Sequence, residues 1–195
     1  MTAEKRIPLH DLHEITNGFS VDSRIGQGGY GDVYKGVYNG REVAVKLLHV
    51  DTVQGIDDQQ YINEVDNLSR AKHPNIIQLL GYTYETMSEL VEHKGKQGFS
   101  KHIYRVLCFE YLQGGSLEEH LRADWSTRYS IIKGICEGLN FLHHRCKPAI
   151  FHLDLKPANI LLDSFMVPKV ADFGLSRVIS HSRTHVTEQI KGTQA

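Results

Sequence analysis

The chain has 195 residues, 41% of them hydrophobic and 23% charged, with a formal net charge of -1. That length and mix suit one large or two small globular lobes with real cores. They exclude a global basic field for nucleic acid, and no run approaches the ~18 consecutive apolar residues of a membrane span.

Taken in chain order, residues 1–20 read as a leader with one helical turn before Asn17-Gly18, and no apolar run follows Met1 as in a signal peptide. From Arg24 to Leu48 the texture is β: Val33, Val37, Val43 and Val45 stand among glycines and tyrosines. Asn39-Gly40 between two such runs is a hairpin signal. Asp57 to Ala71 reads helical, with Tyr61, Glu64, Leu68 and Ala71 on one face and His73-Pro74-Asn75 closing it. Glu64 on that apolar stripe needs a partner. Ile76 to Tyr84 and Tyr104 to Tyr111 are strand-like, and the polar stretch Glu89–Lys101 between them is expected to be an exposed loop.

Gln113-Gly114-Gly115 marks the expected boundary between lobes. Ser116 caps a short helix to Leu121. Asp124 or Ser126 caps a long one to about His143, whose expected apolar face is Ile132, Ile135, Cys136, Leu139 and Leu142. Short strands Ile160–Leu162 and Val167–Val170 follow, joined by the turn Asp163-Ser164-Phe165-Met166. The order predicts an α+β chain in two lobes: leader 1–20, a β-rich lobe with one helix over 21–112, and a helical lobe over 113–195. Cys108, Cys136 and Cys146 lie near apolar stretches and read as buried, reduced thiols. The twelve histidines show no metal-ligand spacing.

Three runs carry chemistry. Gly26-Gln27-Gly28-Gly29-Tyr30-Gly31-Asp32-Val33 fits G-x-G-x-x-G-x-V. A dinucleotide fold would start a helix at such glycines. Here Gly36 and Asn39-Gly40 make the next stretch a strand and turn, which favours a β-hairpin whose backbone approaches phosphates and disfavours an oxidoreductase. In Val43-Ala44-Val45-Lys46, period-2 alternation puts small Ala44 and cationic Lys46 on one face, with Glu64 the natural ion-pair partner. Asp154-Leu155-Lys156-Pro157-Ala158-Asn159 and then Asp172-Phe173-Gly174 supply an acid, a cation and two oxygen donors. Those are the groups that phosphoryl transfer from magnesium-bound ATP requires.

Together these runs, in this order over about residues 20–195, resemble the signature set of the eukaryotic protein kinases. Lys156-Pro157 after Asp154 resembles the serine/threonine branch. Ile15-Thr16-Asn17-Gly18-Phe19-Ser20 and the run from Leu107 to Leu112 followed by Gly114-Gly115-Ser116-Leu117 are similar to plant receptor-like kinases. The resemblance implies a two-lobed fold and transfer of the ATP γ-phosphoryl to Ser/Thr hydroxyls of a protein substrate, the chain's own included. It implies Asp154 as the acid that orients the hydroxyl and Lys156 on the transferring phosphate. It implies Asn159 and Asp172 on magnesium, and Lys46, paired with Glu64, on the α- and β-phosphates. Gly26, Gly28 and Gly31 would cover the phosphates. Ile25, Val33, Ala44 and Leu161 would sandwich adenine, Phe109 would be the gatekeeper, and the backbone from Glu110 to Leu112 would be the hinge. A cytosolic setting follows, as a free chain or as part of a longer receptor.

Two departures stand out. Leu153 replaces the arginine that usually precedes the catalytic acid and pairs with an activation-segment phosphate, so activity independent of such capture is expected. Residues 172–195 resemble an activation segment with hydroxyls at Ser176, Ser180, Ser182, Thr184, Thr187 and Thr193. The Ala-Pro-Glu element and later helices of the family do not follow Ala195, which predicts weak stability or activity for the chain alone. The alternative role is a nucleotide-binding decoy of a full kinase.

Overall fold

The computed structural model describes residues 5–49, 56–93 and 96–179. Their contacts divide the chain into two units, residues 1–57 with 79–111, and residues 58–78 with 112–195.

The first unit is a sheet of five antiparallel strands with a sixth added parallel at one edge. The strands are β1 (Lys5–Arg6), β2 (Arg24–Gly28), β3 (Gly31–Tyr38), β4 (Arg41–Leu48), β5 (Leu79–His93) and β6 (Lys96–Glu110), in spatial order β1-β5-β6-β4-β3-β2. Asn39 and Gly40 both take positive φ, 51° and 74°, as the predicted two-residue hairpin turn requires. β4 alternates as the sequence predicted. Val43 and Val45 are buried on one face, while Ala44 and Lys46 are half-buried on the other. The core joins Val43 and Val45 to Tyr34, Val106 and Cys108, and also to Ile7, Leu9 and Leu12.

Those last three come from the segment expected to be a leader. It forms β1 and the helix α1 (Leu9–Ile15), and it docks by specific bonds. The Leu9 N–H donates to Glu85 Oε1 at 3.2 Å, and the Arg6 guanidinium donates to the Tyr84 carbonyl at 3.2 Å. Ile7, Leu9 and Leu12 alone hide too little to signal a core element, and only the sheet supplies their cover. The stretch Glu89–Lys101 also departs from expectation. β5 and β6 run on as a paired ribbon to His93↔Lys96. Its sequence lacks apolar alternation, so periodicity could not reveal it.

In the second unit lie α2 (Ile56–Arg70, all but its first two residues), α3 (Trp125–Asn140), β7 (Ala149–Phe151), β8 (Ile160–Leu162), β9 (Pro168–Val170) and β10 (Arg177–Ile179). α2 buries Tyr61, Glu64 and Leu68 as predicted, and Asn67 with them, and Ala71 just past its end is also buried. Within the same unit, Asn67 Nδ2 donates to Ser176 Oγ at 2.7 Å. The expected helix after Ser116 is a single 3-10 turn, Leu117–His120, where the Ser116 N–H donates to Glu119 Oε1. Gly114 lies flat on β8, its N–H donating to the Leu162 carbonyl.

Asp124 caps α3, accepting from the Thr127 N–H at 3.1 Å. The face that α3 buries differs from the one expected. Ile131, Gly134, Gly138 and Leu142 are buried, Ile135 and Leu139 are partly covered, and Ile132 and Cys136 are exposed. The reason is close backbone approach. A Cβ on Gly134 would lie 2.6 Å from Pro168 Cγ, and one on Gly138 would lie 2.9 Å from the Asn75 carbonyl oxygen. Counting apolar side chains misses a face built from glycine. The opposite face carries Trp125, Tyr129 and Ile132, 71%, 60% and 52% exposed. Cys136 therefore corrects the expectation of three buried thiols; all three are unpaired. Among the described residues no helix is long and apolar enough to cross a membrane.

Candidate active site

In the first unit, β2 and β3 form the hairpin that the glycine run predicted, with Gly28↔Gly31 the last pair. Only Gly31 of its glycines is required by the fold. A Cβ there would sit 2.5 Å from the Leu47 carbonyl oxygen. Gly26 and Gly28 have room for one, Gly29 has nothing within 4 Å, and none of the three has positive φ. Ile25 is exposed and Val33 partly buried beside this turn. Ala44 pairs with Phe109 and Lys46 with Leu107 across β4 and β6, and Val43 pairs with Glu110. Phe109 is buried, and Tyr111 beyond it lies 4.2 Å under the Lys35 ammonium.

In the second unit the run from His152 to Asp172 is tightly bonded. Leu153 takes φ 64°, which turns the chain between buried His152 and buried Asp154. His152 Nε2 lies 2.8 Å from the Ala171 carbonyl, and the Asp154 N–H donates to His152 Nδ1 at 3.3 Å. A carbonyl only accepts and an amide N–H only donates, so the ring is neutral with its proton on Nε2. Burial pushes its pKa down in the same direction. The ring also meets Phe173 edge-on at 4.9 Å, and Phe173 is fully buried. Sequence reading singled out Asp154 and Phe173; the histidine that joins them carries no signal of its own beyond its place in the motif.

The Asp154 carboxylate is held from two sides. Asn159 Nδ2 donates to Oδ2 at 2.9 Å and to the Asp154 carbonyl at 2.8 Å, and Lys156 Nζ lies 2.9 Å from the same Oδ2. A 3-10 turn, Pro157–Asn159, brings Asn159 back over Asp154. The Asn159 carbonyl accepts from the Ala171 N–H at 2.9 Å, which sets Asp172 next in line, at φ 67°. Among the described residues no group of three His, Cys, Asp or Glu could hold a metal. Asn159 and Asp172 offer an amide and a carboxylate oxygen, hard donors of the kind that divalent cations such as magnesium prefer.

The segment after Asp172 is fastened to α2. Asn63 Nδ2 donates to the Gly174 carbonyl at 3.5 Å, and Ser176, fully buried, accepts from Asn67 while its hydroxyl donates to the Phe173 carbonyl. Ser176 is therefore a structural hydroxyl rather than an accessible phosphosite. Ser180, Ser182, Thr184, Thr187 and Thr193 lie outside the described residues. Leu161 is partly buried on β8, and Leu112 is buried.

The sequence model of the family described as "Protein kinase domain" matches residues 19–195. The chain belongs to the protein kinase family. Its relatives include a probable leucine-rich-repeat receptor-like serine/threonine-protein kinase of Arabidopsis thaliana, 42% identical over 190 residues, which cover 94% of this chain and 17% of that protein. A leucine-rich repeat receptor protein kinase of the same plant is 41% identical over 96% of this chain and 15% of its own length. Cold-responsive protein kinase 1, also from Arabidopsis thaliana, is 34% identical over 94% of this chain and 45% of its own length. This kinase chain thus spans less than half the length of each. The receptor-like resemblance carried by Ile15–Ser20 and Leu107–Leu117 agrees with them.

Proposed function

We propose that the chain binds ATP with magnesium and transfers the γ-phosphoryl to Ser/Thr hydroxyls of a protein substrate, its own included. The observation that carries this reading is the Asp154 carboxylate, nearly buried yet held by Asn159 Nδ2 and Lys156 Nζ at 2.9 Å each on one oxygen. The Asp154 carboxylate, fixed in place by these bonds, would take the hydroxyl proton. Lys156 balances the acid and then the transferring phosphoryl group. Little covalent work falls to the protein in such a transfer; position and charge do most of it. Asn159 and Asp172 would hold magnesium, which screens the phosphate charge.

The glycine turn supports nucleotide binding by elimination. Gly26, Gly28 and Gly29 are not demanded by the chain's own packing. Small residues there are explained by close approach of a ligand to the backbone. Lys46, half-buried on the face of β4 opposite Val43 and Val45, would pair with Glu64 and take the α- and β-phosphates. Ile25, Val33, Ala44 and Leu161 would flank adenine, and the backbone of Glu110 to Leu112 would bond its edge. The setting proposed is the cytosol, as the catalytic part of a receptor-like protein.

Transfer of labelled γ-phosphate from ATP to a Ser/Thr peptide mixture, and to the chain itself, tests this. Lys46→Met and Asp154→Asn are each expected to lower it by ~100-fold or more. Transfer untouched by both changes would exclude these roles. ATP binding without any transfer would leave the nucleotide-binding decoy.

A further inference from the structure

The outer end of the glycine turn is tied down by one residue that no motif includes. His49 follows the last residue of β4, where Gly31 pairs with Leu48. Its backbone N–H donates to the Tyr30 carbonyl at 3.3 Å, and its ring Nε2 lies 3.1 Å from Asp32 Oδ2. The carboxylate can only accept, so the ring donates. The Asp32 side chain is 15% exposed, and its other oxygen, Oδ1, is buried without a hydrogen-bond partner. A carboxylate so placed leans on the one donor it has.

Asp32 directly follows the last glycine of a turn that, on the reading above, covers the phosphates of ATP. An acid there repels phosphate unless it is held back and compensated. A turn with four glycines in six residues also needs restraint from outside its own hairpin. His49 supplies both, through its ring and through its backbone.

We propose that His49 is a positioning residue for nucleotide binding: its ring draws the Asp32 carboxylate to the end of β4 and fixes the glycine turn over the phosphates. This inference rests on the ATP-binding reading and adds a residue to it. His49→Ala keeps the backbone bond but strips the donor from Asp32.

The test is the Kd for magnesium-ATP by titration calorimetry on the 195-residue chain, with amide exchange at Tyr30 and Gly31 measured without nucleotide. His49→Ala is expected to weaken binding by roughly 5-fold, the size of one ordinary hydrogen bond's net contribution. Asp32→Asn in the same chain is expected to restore most of that loss, because the uncompensated charge is gone. His49→Gln, which keeps a donor, should stay within about twofold of the parent. Unchanged affinity in His49→Ala, or no recovery in the double variant, overturns the proposal. A parent chain that binds no ATP overturns the nucleotide reading instead. In that case the exchange rates decide the tether: faster exchange in His49→Ala supports it, and equal exchange sinks it.

Discussion

The glycine turn and the catalytic run are both motifs, yet they are built in opposite ways. Around Asp154, the Asn159 amide, the Lys156 ammonium and the His152 ring each bond to the acid or its backbone, and the ring also bonds to the Ala171 carbonyl, most of it buried. Around Gly28 and Gly29 almost nothing touches the chain, and the turn is exposed. On the proposed reading the difference follows the work: an oxygen that takes part in the reaction must be held within tenths of an ångström, which fits the dense bonding around Asp154. On the same reading, a phosphate cover must admit and release its ligand, which fits a turn that its own chain leaves loose.

The largest expected effect tests the rigid side. Asp154→Asn should lower phosphoryl transfer by ~100-fold or more while leaving the Kd for ATP within about threefold. Equal losses in both would mean that the run binds nucleotide rather than positions the hydroxyl. Next comes the packing beneath it. Gly134→Val should cost about 1–3 kcal/mol in denaturant unfolding, because its side chain would meet Pro168 and Asn75. A neutral result would show that α3 can move away without loss.

A pH titration of stability is the third test. The His152 pKa is lowered by burial, so the unfolded chain takes up a proton that the folded chain refuses. Stability should therefore be complete above the ordinary histidine range near ~6.5 and fall as pH drops through it. Thermal melts from pH 8 to 5 would reveal this, and His152→Gln should flatten that fall. An equally steep fall in the variant would assign the effect to other groups. The smallest effects mark the loose side: Gly29→Ala in the turn and Ile132→Ser on the exposed face of α3 should each change stability by less than about 0.5 kcal/mol. A larger loss at Ile132 would show that its exposed face is covered in solution.

The residues proposed for the site could be picked out from residue types alone, because acid, lysine, amide and glycine spacing reflect local chemistry. The hairpin turn at Asn39-Gly40, the alternation of β4, the Asp124 cap and the buried face of α2 were legible for the same reason: each follows from propensity or period within a few residues. What escaped was decided at long range. The buried face of α3 depends on Gly134 and Gly138 meeting Pro168 and Asn75, and glycines have no hydrophobic signal. The polar ribbon of β5 and β6 has no apolar period. Ser176 looked like any surface hydroxyl until Asn67 closed over it.

By itself, then, the sequence determined the chemistry available and the local elements that carry it, since side-chain identity and backbone preference act over short distances. Only the tertiary structure decided which hydroxyl is buried, which thiol is exposed and which face of α3 is covered. Those outcomes depend on partners tens of residues away. Burial and hydrogen-bond satisfaction belong to the pair and not to either residue.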